Sequence, residues 1–181
     1  VERLAHHAAR GEVWDKAVTY LRQAGAKADA RSAFREAASY FEQALTALGH
    51  LPESREMREQ TIDLHFNLRI SLAALGERER VLEHLRAAEA LANALGDERR
   101  LARVNAYIAR VLAAQGEYEQ AVTACERAIA MARTLDDYGL EVVATLFMGR
   151  AYYCLGDYPK AVEVLRRNLV PLDSPVVRER F

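Results

Sequence analysis

The residues of this sequence that could support catalysis or metal binding are its histidines, cysteines and paired carboxylates. None of the five histidines belongs to an HExxH motif or to a Cys/His set with metal-ligand spacing. His6 and His7 are adjacent, so on a helix they would point roughly 100° apart and chelate one ion poorly. The pair Asp136-Asp137 stands at a predicted helix start, where the helix dipole stabilises negative charge. We therefore predict no catalytic residue, no metal site and no cofactor site in this chain, and hence no enzyme.

The cysteine content and charge point to a cytoplasmic protein with no bulk attraction for nucleic acid. Cys125 and Cys154 fall inside predicted helices with apolar neighbours, which favours buried, reduced thiols over a disulfide or a metal site. The formal net charge is -1 and the sequence pI is near 6.6. No apolar run approaches about 18 residues, so we expect no membrane segment.

A sequence pattern repeats along the chain at a fixed spacing. The run GEYEQAVTACERAIA recurs as GDYPKAVEVLRRNLV, which places Ala121 and Ala161 in one slot at a spacing of 161 − 121 = 40. Val81 occupies the same slot one period upstream, and Ala37 occupies it in a weaker copy at a spacing of 81 − 37 = 44. Regular spacing of this size is typical of stacked helical hairpins, in which each repeat buries its apolar face against its neighbours. It favours a binding surface over a catalytic cleft.

The residues between these slots predict helices almost throughout. Ala, Leu, Glu and Arg are strong helix formers, and β-branched runs bounded by turn residues are missing, so we predict no strands. We expect one repeat domain over residues 1–170, with residues 171–181 a linker or the start of a truncated further repeat. Because the chain begins at Val1, we expect it to be a piece of a longer polypeptide. The predicted helices lie near residues 2–10, 14–30, 32–48, 54–75, 78–95, 98–115, 117–135, 138–155 and 158–170.

Small and large apolar residues alternate between the two helices of each predicted hairpin. In the last copy, Met148, Gly149 and Tyr152 on one helix are followed by Ala161 and Leu165 on the next. This pattern resembles the tetratricopeptide repeat, whose signature runs Leu-Gly-x2-Tyr and then Ala-x3-Phe. The resemblance implies an all-α, right-handed superhelical solenoid of antiparallel helix hairpins, with about four repeats. The period of 40 exceeds the usual value of about 34, so we expect longer helices.

One copy departs from the pattern. Arg69 stands where a small residue is expected, which puts close packing of that hairpin in doubt. The segments LAHHAARGEVWDKAVTYLRQAG and HLPESREMREQTIDLHFNLR also resemble the helical arrays of large bacterial signal-transduction ATPases, both the nucleotide cyclase-linked group and the maltose-type transcription activators. That resemblance implies a regulatory segment whose catalytic domains lie elsewhere in the polypeptide.

The resemblance to tetratricopeptide repeats also implies a set of binding residues. In that family the first helix of each hairpin lines the concave side, so residues outside the packing set would face a groove. That groove would be basic and partly apolar, which suits an acidic peptide or an anionic small molecule. Alternatively, the arginines pair with Glu or Asp of adjacent helices. The implied groove residues are Arg22, Phe66, Ile70, Arg103, Arg110, Leu146, Arg150 and Tyr153.

Two hypotheses about function remain at this point. The first is a protein-interaction scaffold in a larger bacterial signalling protein, whose partner is another protein, a peptide or a linked effector domain. The second is a sensor that binds an anionic small effector in the groove. Self-association through an exposed end helix is a variant of the first. The residues do not match the lysine-and-asparagine set with which some members of the family clamp a C-terminal carboxylate.

Overall fold

The structure, a computed structural model, describes residues 1–169, and all regular structure within them is α-helical. The predicted all-α fold is confirmed, and the observed helix bounds agree with the predicted ones to within a few residues. The largest difference is at the last helix, which ends at Arg166 rather than near residue 170. The helices are α1 (Glu2–Arg10), α2 (Trp14–Ala30), α3 (Phe34–Leu48), α4 (Arg55–Ala74), α5 (Arg78–Leu95), α6 (Glu98–Gln115), α7 (Tyr118–Thr134), α8 (Tyr138–Leu155) and α9 (Tyr158–Arg166).

The helices form two compact units. The first unit, Val1–Asp97, contains α1 to α5, and the second unit begins at Glu98 and contains α6 to α9. The expectation of a single domain over residues 1–170 stays a prediction. The segment 171–181, predicted as a linker or truncated repeat, lies outside the described residues.

In the first unit, α2 pairs with α3 and α4 pairs with α5, while α1 packs on α2 and α3 packs on α4. Gly25 of α2 lies against the ring of Phe41 of α3. A β-carbon built on Gly25 would lie 2.5 Å from Cε1 of Phe41. A small residue at this position therefore allows the buried phenyl ring to pack directly on the backbone of α2.

The second unit repeats this arrangement in the hairpins α6–α7 and α8–α9, with α7 also packed on α8. In α8–α9 a β-carbon on Gly149 would lie 2.5 Å from Cγ of Leu165. In α6–α7 the corresponding pair is Ala109 and Cys125, which are 1% and 0% exposed. The small-against-large pairing expected from the sequence thus occurs in both units.

The hairpin that contains Arg69 also packs. Arg69 is half-buried in α4, and Val81 and Leu85 of α5 are 1% and 0% exposed. Close packing, which Arg69 had put in doubt, is therefore present in this hairpin, and the long aliphatic stem of an arginine can cover apolar surface.

Helix ends follow local sequence signals. Asp137 precedes α8 and its carboxylate accepts a hydrogen bond from the Leu140 amide at 3.0 Å, which is the N-cap role that a carboxylate at this position performs. Gly156 ends α8 with φ of 80°, a left-handed conformation that glycine adopts without steric cost. Within the described residues no helix is long and apolar enough to cross a membrane.

Candidate functional site

The best-formed candidate site is a face of the second unit made by α6 and α8. These two helices are neighbours, and an aromatic pair joins them. The rings of Tyr107 and Phe147 have centroids 6.2 Å apart and an interplanar angle of 56°. The two residues occupy the same position of successive repeats, because 147 − 107 = 40. Both are half-buried, so the pair presents part of its apolar surface to solvent.

Two arginines flank this aromatic pair. Arg110 and Arg150 each follow their aromatic residue by three positions, which places them on the same helix face about one turn further along. Both are exposed. Neither forms an ion pair with a carboxylate among residues 1–169. The alternative in which the arginines are neutralised by adjacent helices therefore does not apply to these two.

The remaining predicted residues of the second unit extend this face. Arg103 is exposed and precedes Tyr107 by one turn of α6. Leu146 is 53% exposed and Tyr153 is 63% exposed, and both share a face of α8 with Arg150 at i, i+4, i+7 spacing. Tyr153 also contacts the ring of Tyr158, with centroids 5.4 Å apart. We call the exposed surface of Arg103, Tyr107, Arg110, Leu146, Phe147, Arg150 and Tyr153 the α6–α8 face.

The predicted residues of the first unit form no comparable surface. Arg22 is half-buried and Ile70 is 42% exposed. Phe66 is only 6% exposed, so the expectation that its ring faces an open groove is wrong. The physical reason is that α4 packs against α3 and α5 and also contacts α2, so that apolar residues on more than one side of α4 are covered.

Sequence reasoning missed the two residues at the centre of the face. It assigned Arg110 and Arg150 to the groove but not the aromatic residues beside them. The sequence period that aligns the two arginines also aligns Tyr107 with Phe147. An aromatic residue that recurs at one position of two adjacent repeats was the signal that could have identified the pair.

Among residues 1–169, two pockets outside the α6–α8 face suit an anion less well. A pocket of about 440 Å³ in the first unit has Asp15 and Glu56 as its charged lining residues. A cleft of about 380 Å³ between α7, α8 and α9 includes Arg133 and Arg167. Those two arginines are already paired with carboxylates, and a paired cation attracts a further anion weakly.

The thiols and acidic residues form no metal site within residues 1–169. Cys125 is buried, and burial together with the charge of Glu126 raises the pKa of its thiol to about 12. Cys154 is exposed, so the expectation that both cysteines are buried is wrong for this residue. Cys154 stands in the last turn of α8, where its neighbours Tyr153 and Leu155 are exposed as well.

These observations define a helical-repeat protein built from antiparallel hairpins, with an exposed aromatic and basic face. Residues 100–168 match the family model described as the tetratricopeptide repeat. This match confirms the sequence-based resemblance to the tetratricopeptide repeat.

Solved structures share the fold. The chain is similar to the apo form of RapI, with a TM-score of 0.77 and 14% sequence identity, over 91% of this chain and 66% of RapI. It is similar to BtubC from P. vanneervenii, with a TM-score of 0.76 and 17% identity, over 99% of this chain and 71% of BtubC. It is also similar to a Rap protein complexed with competence and sporulation factor, with a TM-score of 0.68 and 20% identity. The matched region covers 96% of this chain and 44% of that Rap protein.

The chain thus spans just under two thirds of the length of RapI and less than half of the second Rap protein. Identities at this level establish the shared fold alone. No curated protein sequence matches the chain significantly.

Proposed function

We propose that the chain is a non-catalytic protein-interaction module that binds an acidic peptide segment on the α6–α8 face. The observation that supports this most directly is the aromatic pair Tyr107–Phe147 flanked by Arg110 and Arg150, both exposed and without an ion pair among the described residues. An arginine offers a rigid fork of donors to a carboxylate. Aromatic rings offer a flat apolar contact that is easily desolvated.

The helix spacing suggests which peptides would fit. Axes of packed helices lie about 8–10 Å apart, and an extended chain rises about 3.3 Å per residue. Residues four apart in an extended peptide lie about 13 Å apart on one face, together with the residue midway between them, so two carboxylates at this spacing could reach the long side chains of Arg110 and Arg150 together. An apolar or aromatic residue between those carboxylates would lie over Tyr107 and Phe147.

The wider setting of this module is part of the proposal. We propose that it is a cytoplasmic regulatory segment of a larger bacterial signalling protein with an ATPase, nucleotide cyclase or transcription-regulator domain. The sequence resemblance to such arrays supports this, as does the Rap protein complexed with competence and sporulation factor, which shares the fold. Reading the full native polypeptide would test it, because a polypeptide without any effector domain would remove the support for a regulatory role.

A second candidate is an anionic small effector held by the same residues. Arg110 and Arg150 would bind a carboxylate or phosphate group of such a ligand as readily as a peptide side chain. A thermal shift with citrate or inorganic phosphate that disappears in the Arg110→Glu/Arg150→Glu variant would favour this candidate. If neither citrate nor phosphate shifts the thermal unfolding of the protein, the peptide is favoured.

The peptide proposal is tested with a fluorescein-labelled dodecapeptide that contains two glutamates four residues apart with a phenylalanine midway between them. We expect the fluorescence anisotropy to report saturable binding that weakens with salt. Arg110→Glu/Arg150→Glu should reduce the affinity by about tenfold or more, since each anchor residue of an interface typically contributes more than about 1 kcal/mol.

The matched control is Arg127→Glu, which reverses an exposed arginine on α7 that also forms no ion pair among the described residues. This control should leave the affinity within about twofold. Equal loss in the control and the double variant, or equal binding of a peptide with lysines in place of the glutamates, would count against the α6–α8 face as the binding site.

A further inference from the structure

Two histidines meet in the interior of the first unit. His65 on α4 and His84 on α5 have their Nδ1 atoms 3.0 Å apart. The ring centroids are 5.1 Å apart and the rings are tilted by 37°. His65 is 8% exposed and His84 is half-buried. The pair therefore joins the two helices of one hairpin through a largely desolvated contact.

This contact needs one proton between the two nitrogens. A neutral imidazole has one nitrogen that donates and one that accepts, so one Nδ1–H donates to the other Nδ1. When both rings are protonated, both Nδ1 atoms are donors and face each other at 3.0 Å. The hydrogen bond is then lost, and two like charges lie side by side in a site with little water.

The surroundings supply little to balance a second charge. Burial and then the charge of His84 lower the pKa of His65 to about 4. Burial and then Arg80 lower the pKa of His84, while Glu42 of α3 and Glu83 of α5 act in the opposite direction. Glu42 is itself paired with Arg80.

The other helices that touch α4 and α5 add no free acid at the pair. Arg80 is bound by Glu77 as well as by its partner on α3. From α2, Asp29 reaches α4, but its carboxylate accepts a hydrogen bond from the Ser71 hydroxyl at 3.0 Å. The pKa of His65 is set by burial and by His84, with no contribution from a carboxylate.

The other hairpins show that the fold does not need histidines here. One period away from His65 and His84, the same two positions hold different side chains, and none of them titrates between about pH 4 and 7. The corresponding pairs are Leu21 with Tyr40, Asn105 with Ala124, and Thr145 with Val164. These pairs fill the position with apolar, small or neutral polar groups.

We propose that the His65–His84 contact makes the α4–α5 hairpin acid-sensitive, so that mild acidification weakens the first unit. The sign follows from linkage: a histidine whose pKa is lower in the folded state than in the unfolded chain favours unfolding once the unfolded chain begins to bind protons. Stability is therefore full above about pH 6.5 and is lost progressively as the pH falls toward about 4. This property is separate from peptide binding on the α6–α8 face.

The first test compares urea unfolding of the chain at pH 7.5 and pH 5.0, in EDTA so that bound metal plays no part. Trp14 is the only tryptophan and lies in α2, so its fluorescence reports on the first unit. For the wild type, His65 alone should lower the folding equilibrium constant by about 30-fold between the two pH values, given an ordinary pKa of 6.5 and a folded pKa of about 4. His84 adds to this loss in the same direction.

The matched variant is His65→Leu/His84→Tyr, which installs the pair found in α2–α3. Between pH 7.5 and pH 5.0 the folding equilibrium constant of this variant should fall about 30-fold less than that of the wild type. A further control, His6→Gln at an exposed position of α1, should behave as the wild type does. Identical acid dependence in the wild type and the double variant would overturn the proposal.

A second measurement needs no destabilising variant. Nitrogen-15 spectra of the histidine rings in the wild type, titrated from pH 7.5 to 5, should show His65 remaining largely neutral. Titration of His65 with a midpoint near pH 6.5 in the folded chain would refute the proposal even if the double variant failed to fold.

Discussion

Replacing Gly25 by alanine should destabilise the first unit, although alanine is the better helix former. In an open helix position this change stabilises by about 1 kcal/mol, because glycine loses more backbone freedom on folding. At Gly25 the new β-carbon would lie 2.5 Å, 2.8 Å and 2.8 Å from three ring atoms of Phe41. Real β-carbons almost never approach other atoms below 3.0 Å, so the ring or the helix must move.

The magnitude depends on how freely Phe41 can move. Its side chain is 2% exposed, so the ring is enclosed and cannot swing into solvent. Overpacking of a well-packed core typically costs about 1–3 kcal/mol. Offset by the gain of about 1 kcal/mol in helix propensity, the net loss in free energy of unfolding should be about 1 kcal/mol and can reach about 2.

Gly149→Ala provides an internal comparison in the second unit. There the new β-carbon would lie 2.5 Å from Cγ of Leu165, but Leu165 is 36% exposed and has room to change rotamer. The gain in helix propensity should then roughly cancel the cost of adjustment, and the change should be within about 0.5 kcal/mol of neutral.

Urea unfolding followed by Trp14 fluorescence measures the effect in the first unit, and circular dichroism at 222 nm measures the comparison in the second. A double-mutant cycle with Phe41→Leu isolates the contact. In α4–α5 the positions that correspond to Phe41 and Gly25 hold Leu85 and Arg69, so we expect a leucine at position 41 to tolerate a β-carbon at position 25. The cost of Gly25→Ala should therefore fall by at least about 0.5 kcal/mol in the Phe41→Leu background. If Gly25→Ala instead stabilised the wild type by about 1 kcal/mol, the close contact would not exist.

Two further predictions concern the second unit. At pH 8, Ellman's reagent should quickly modify one thiol per chain, that of Cys154, because burial keeps Cys125 protonated with a pKa of about 12. The fast phase should vanish in Cys154→Ser. Two rapidly reacting thiols in the wild type would contradict the burial of Cys125. Asp137→Ala should cost about 1 kcal/mol in urea unfolding, because it removes the acceptor of the Leu140 amide. Asp137→Asn retains an acceptor oxygen and should cost much less, so equal losses in the two variants would show that the cap bond is not the cause.

The corrections to the sequence-based expectations share one cause. Phe66 and Cys154 both lie in predicted helices at positions assigned by periodicity, yet Phe66 is buried and Cys154 is exposed. Periodicity states which residues share a helix face. It does not state how many neighbouring helices cover that face or how far along the helix the cover extends.

The helices, their bounds and the small-against-large pairs were predictable from sequence because each depends on local information. Strong helix formers, caps such as Asp137 and end residues such as Gly156 act within a turn or two of the chain. The regular period of the sequence then predicted which positions repeat, so that the contacts of Gly25 with Phe41 and of Gly149 with Leu165 could be anticipated.

The tertiary structure decided which side chains meet between helices. Tyr107 meets Phe147 across two helices that are not consecutive in the chain, and His65 meets His84 although 84 − 65 = 19 residues separate them. Both contacts depend on the rotation and spacing of packed helices, which many side chains determine together. For the same reason, the sequence could suggest that Arg110 and Arg150 share one binding surface, but it could not show whether they form ion pairs. Their lack of an ion pair among the described residues became evident only from the positions of the neighbouring helices.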